Sequence, residues 1–104
     1  MRDTFLRLPA YALLCALAVA HRPAWSQDQA RSLAANCTGC HGRNGVSAGA
    51  IPSIAGLERA YIVTAMQEFK AGTRQATVMH QHAKGYTDPE IELLAAYFSQ
   101  QKRP

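Results

Sequence analysis

Cys37-Thr38-Gly39-Cys40-His41 is the stretch on which the reading of this chain turns. Two thiols with two residues between them and an imidazole directly after the second make the C-x-x-C-H pattern of covalent haem attachment. The spacing has a chemical reason. The thiols add to the two vinyl groups on one edge of a porphyrin, and the adjacent histidine reaches the iron, for which imidazole is a proper ligand. Two other readings of the motif stay open. A bare C-x-x-C also serves as a redox pair, but that site follows a strand in a βαβ unit, and here a helical pattern precedes it. A zinc site needs more ligands than the motif holds, and His80 and His82 are the residues that would complete one.

Upstream of the motif, Ala30, Leu33, Ala34 and Cys37 recur at helical spacing. They predict a short helix over 28–36 that delivers its last turn to Cys37. Downstream, Gly39, Gly42, Gly45, Gly49 and Gly56, with Ser47, Pro52 and Ser53, predict a loop. A second helix is expected over about 57–71, with Ile62, Met66 and Phe69 on one face and Gly72 as its stop. Met66 reads there as a core residue. The segment 73–86, containing Met79, His80 and His82, reads as another loop. The last helix is announced by Thr87-Asp88-Pro89-Glu90, a capping box with proline in the first turn. Ile91, Leu94, Ala95 and Phe98 form its apolar stripe. No run alternates apolar and polar residues as a half-buried strand does, so the expected class is all-α. Small Ala30 and Ala34 allow the first and last helices to cross closely, against Leu94, Tyr97 and Phe98. Arg43, Arg59 and Lys84 read as solvated charges.

The chain has 104 residues, enough for one domain. Its 48% hydrophobic and 17% charged content excludes a disordered or fibrous protein. The beginning reads differently from the rest. Arg2 and Arg7 precede an apolar run from Leu8 to Ala20, broken by His21, Arg22 and Pro23. This order is that of a secretory signal peptide over 1–26. The run spans about 13 residues, short of the roughly 20 that cross a bilayer as a helix. Ala24 and Ser26 suit cleavage before Gln27, and Ala18 and Ala20 offer a second site before His21. The expected mature domain, 27–104, has no membrane span and lies in the periplasm. Cleavage removes three arginines and one aspartate, lowering the formal charge from +4 to +2. No basic stripe or aromatic platform remains on which to build nucleic-acid binding.

A domain this short is marginal on its hydrophobic core alone and needs a staple. Cys15 lies inside the apolar run and leaves with it, so the mature thiols are Cys37 and Cys40. A disulfide between them closes too small a loop to stabilise much. Covalent haem meets the need that a disulfide does not.

On these motifs the chain resembles the class I cytochromes c: three to four short helices around one covalently bound haem c. The resemblance covers the whole of 27–104, including the loop Ile51-Pro52-Ser53-Ile54-Ala55-Gly56-Leu57. It implies that the Pro52 carbonyl accepts a hydrogen bond from the proximal His41, a partner that orients the ring and raises its basicity. It also implies that a methionine before the last helix is the sixth iron ligand, and Met79, eight residues ahead of Thr87, fits. His80 and His82 are its competitors, since imidazole also binds haem iron. The run Thr77–Ile91, with Asn44-Gly45-Val46-Ser47, is similar to the cytochrome subunits of flavocytochrome c sulfide dehydrogenases. That likeness implies a one-electron carrier whose partner is a flavoprotein subunit or another redox protein. The alternative is a free periplasmic carrier of the c553 type. A haem enzyme or gas sensor is the distant third. No general acid, nucleophile or substrate cleft is recognisable, so the chain by itself is assigned no reaction.

Overall fold

The computed structural model describes residues 24–104. The expected signal segment therefore lies almost wholly outside the described residues. Five helices follow in order: α1 (Ala24–Ala35), α2 (Thr38–His41), α3 (Arg59–Ala71), α4 (Met79–Lys84) and α5 (Asp88–Ser99), with a 3-10 turn at Arg43–Gly45 after α2. The described residues contain no strand. None of their helices is long and apolar enough to cross a membrane.

The α5 cap forms as its sequence demands. The Glu90 N–H donates to Thr87 Oγ1 at 3.3 Å, and the Thr87 N–H donates to Glu90 Oε2 at 2.8 Å. Two of the amides a helix start leaves unpaired are thereby satisfied, and Pro89 needs none. The apolar stripe then turns inward: Ile91, Leu94, Ala95 and Phe98 are all buried. α1 lies across α5 with Ala30 and Ala34 buried, and α3 packs on α5 through Ile62 and Met66. Ala83 of α4 completes one continuous core. Each fully buried large side chain, Phe98 or Ile91, contributes about 1.5–3 kcal/mol by leaving water.

Three boundaries differ from expectation, each for a local reason. α1 is already helical at Ala24, ahead of Asp28, because no helix breaker stands between Ala24 and Asp28. It thus runs across the expected cleavage point before Gln27. α3 begins at Arg59 rather than Leu57, since the chain first turns to bring the Gly56 N–H onto the Phe98 carbonyl at 2.8 Å. The segment 73–86, expected as a loop, contains the six-residue helix α4. Nothing in Met79–Lys84 opposes a helix, and burial of Ala83 rewards one, but a stretch this short shows too little periodicity to announce itself.

The loop between α2 and α3 is folded back on itself at Gly45. Its carbonyl accepts from the Ile54 and Ala55 N–H groups at 2.8 and 3.1 Å. Gly45 has φ +80, and a Cβ there would meet Ile54 Cγ1 and Phe98 Cδ1 at 2.9 Å. Glycine is required on both counts, conformation and space. Tyr97 ties the same turn to α5, its hydroxyl donating to Asn44 Oδ1 at 3.3 Å.

Candidate functional site

The motif occupies the break between α1 and α2. The Cys37 N–H still bonds to the Ala34 carbonyl at 3.0 Å, and Cys37 O then accepts from the Cys40 and His41 N–H groups at 3.3 and 2.9 Å. Thr38 Oγ1 donates to the Ala35 carbonyl at 2.8 Å. Two short helical segments thus hold both thiols and the imidazole within about one turn. Cys37 is half-buried and packs against the core, while Cys40 is exposed. They are not joined to each other. Burial pushes the Cys37 thiol above its ordinary value, and the neighbouring Cys40 adds to the effect. A thioredoxin-type pair follows a strand in a βαβ unit, and the described residues contain no strand, so the redox-pair reading lacks its scaffold here.

His41 is positioned from the far side of the loop. Its Nδ1 lies 2.7 Å from the Pro52 carbonyl oxygen. A carbonyl only accepts, so the proton sits on Nδ1 and the lone pair on Nε2. Such a ring presents one nitrogen donor in a defined direction. The loop's shape makes the contact: the Gly45 bonds to residues 54 and 55, and a Ser47 N–H to Ser53 Oγ bond at 2.9 Å, fold 46–53 across His41. Gly42 (φ +83) starts the fold, since a Cβ there would run into the Val46 carbonyl.

Met79 reaches the region by a separate route. It is the first residue of α4, half-buried, and packs on the same core as Cys37. His80 is half-buried and His82 exposed. His82 lines a shallow groove with Leu33, Asn36, Tyr86 and Glu90. No group of three or more metal-binding side chains assembles among the described residues, so His80 and His82 do not join the cysteines in a zinc site. The donors fit haem instead: two unpaired thiols, an imidazole with Nε2 as donor, and a thioether. Apolar Val46, Ile51 and Val78 turn to the surface around them.

Some contributors had no sequence signal. Arg74 donates through Nε to Glu68 Oε2 at 2.7 Å and lies over the rings of Tyr61 and Phe69, 5.6 and 5.5 Å from their centroids. Lys70 Nζ donates to the Tyr86 carbonyl at 2.7 Å. Charge complementarity at six residues' separation was the available clue for Arg74, but it is shared by most loop arginines. Arg59, expected to be solvated, pairs with Glu92 at 2.8 Å, both side chains remaining about half exposed. Such a pair adds little stability.

The family model of cytochrome c matches residues 28–102. The cytochrome subunit of sulfide dehydrogenase from Chlorobaculum tepidum is 49% identical over 73 residues, 70% of this chain and 66% of that protein. A thiosulfate dehydrogenase electron acceptor from Thiomonas intermedia is 35% identical over 92% of this chain and 44% of its own length. Among solved structures, Acidithiobacillus ferrooxidans cytochrome c4 superposes with a TM-score of 0.63 at 31% identity, over 78% of this chain and 52% of that one. The chain thus spans two thirds or less of each of these relatives.

Proposed function

This chain belongs to the cytochrome c family, and from that premise we propose that it is the electron-accepting cytochrome of a flavoprotein that oxidises reduced sulfur compounds in the periplasm. It is a one-electron carrier of class I fold with covalently bound haem c, and it is not itself the catalyst. When bound, haem c supplies an iron that cycles between ferric and ferrous states.

The protein's own residues do the rest. Cys37 and Cys40 tether the group as thioethers, which keeps it in place in either oxidation state. His41 offers Nε2 to the iron, its ring held by the Pro52 carbonyl. Met79 offers its thioether from the opposite element, a soft donor that favours ferrous iron and raises the potential. The observation that carries this assignment is the 2.7 Å bond from His41 Nδ1 to Pro52, because it fixes which nitrogen is left to donate. The sulfur-linked partner rests on the likeness to the Chlorobaculum subunit. The Thiomonas relative, an electron acceptor of thiosulfate dehydrogenase by its name, supports the second reading of a carrier that serves another dehydrogenase.

Two measurements test the proposal. Met79→Ala is expected to abolish the weak far-red sulfur-to-iron band of the ferric protein and to lower the potential, while His80→Ala and His82→Ala leave both nearly unchanged. Loss of the band only in a histidine variant would reassign the ligand. For the partner, flavin is expected to travel with haem through native purification. Thr38, Ala48 and Ile51 are exposed and uncharged, so a contact through them should make stopped-flow reduction depend weakly on salt. A steep decline with ionic strength, and no complex on gel filtration, would establish the free carrier.

A further inference from the structure

The segment from Thr73 to Tyr86, which contains Met79, is fastened to α3 at both ends. At its start, the Thr73 and Arg74 N–H groups reach the Glu68 carbonyl at 2.9 and 3.4 Å, and Thr73 Oγ1 donates to the same oxygen at 3.3 Å. Arg74 adds its side chain to this anchor: Nε on Glu68 Oε2 at 2.7 Å, and the guanidinium over both Tyr61 and Phe69. At its end, Lys70 Nζ holds the Tyr86 carbonyl at 2.7 Å and lies 3.4 Å from Asp88 Oδ1. Between the anchors only Ala83 is buried, and Val78, next to Met79, is more than half exposed.

We infer that Arg74 is a positioning residue for Met79: by clamping the start of this segment to Glu68, Tyr61 and Phe69, it governs how readily Met79 gives way to an outside ligand. The inference rests on the assignment of Met79 as sixth ligand. Segments with few buried contacts open locally at a small fraction of the cost of global unfolding. An ion pair as accessible as Arg74–Glu68 contributes little alone, but here the same guanidinium also contacts two aromatic faces, and the contributions act together on one loop. Lysine matches neither the planar fork nor the stacking. Arg74 belongs to the loop before α4 and lies outside the core that closes α1, α3 and α5, so loosening the clamp acts on local opening rather than on the whole fold.

Cyanide is the probe, because it binds ferric haem only after the protein's sixth ligand has left. The ferric holoprotein is mixed with saturating cyanide in a stopped-flow instrument. Arg74→Gln and Glu68→Gln are each expected to bind cyanide several-fold faster than the parent. Arg74→Lys should fall between, and the double variant should add little to either single one. Arg31→Gln, which removes only an exposed α1 pair to Asp28, should leave the rate unchanged. Parental rates in both clamp variants, with the far-red band lost in Met79→Ala, would overturn the inference alone. A band that survives Met79→Ala would overturn the ligand assignment and the inference with it. An acceleration matched by an equal loss of global stability in denaturant titration would overturn the inference too, because the effect would then belong to the whole fold.

Discussion

Across the crossing of α1 and α5, apolar side chains close on one another: Ala34, Ile91, Leu94, Ala95 and Phe98 retain 2% of their surface or less. Around His41 and Met79 the same protein turns apolar residues outward, with Val46 at 36%, Ile51 at 42% and Val78 at 54% exposure. The first region is held by burial. The second is held by backbone hydrogen bonds at Gly45, by the His41–Pro52 bond and by the Arg74 and Lys70 anchors. The difference shows how a domain near the lower size limit divides its labour. Helix packing makes a scaffold, and the face that carries the donor set is shaped by hydrogen bonds and side-chain anchors on it.

The largest expected effect breaks the second region. Cys37→Ala or Cys40→Ala should leave almost no holoprotein, since the α1–α5 core alone is too small to sustain the fold. Haem staining after denaturing electrophoresis reads this directly, and a wild-type band that loses its stain there would contradict covalent attachment. Next comes the first region. Phe98→Ala empties the centre of the core and should cost about 3–5 kcal/mol in denaturant unfolding of the holoprotein. Gly45→Ala strikes where the regions meet, against Ile54 and Phe98 at once. With positive φ and no room for a Cβ, it should cost about 1–3 kcal/mol. It should also disturb the far-red band, whereas Phe98→Ala disturbs stability more than spectrum. The smallest effect lies at the edge of the scaffold: Thr87→Ala removes the α5 cap and should cost about 1 kcal/mol by thermal melting, with no spectral change.

What was legible in the chain follows from how local each signal is. The C-x-x-C-H motif, the α5 capping box, the stripe from Ile91 to Phe98 and the stop at Gly72 are written in consecutive residues, because they depend on spacing within a turn or two of helix. The resemblance to class I cytochromes added Pro52 as acceptor for His41, and the structure places that bond at 2.7 Å. α4 was missed because six residues show too little periodicity, and its reward, burial of Ala83, comes from other helices.

The amino-acid order by itself determined the all-helical class, the C-x-x-C-H grouping of two thiols and an imidazole, and the caps, since each needs only near neighbours and elementary covalent or hydrogen-bond chemistry. Only the tertiary structure decided that His41 turns Nδ1 to the Pro52 carbonyl, that Gly45 has no space for a side chain, and that Arg74 and Lys70 fasten the Met79 segment to α3. Each of those depends on partners brought from another part of the chain, and the direction of a hydrogen bond or the room around a Cβ exists only once packing has placed them.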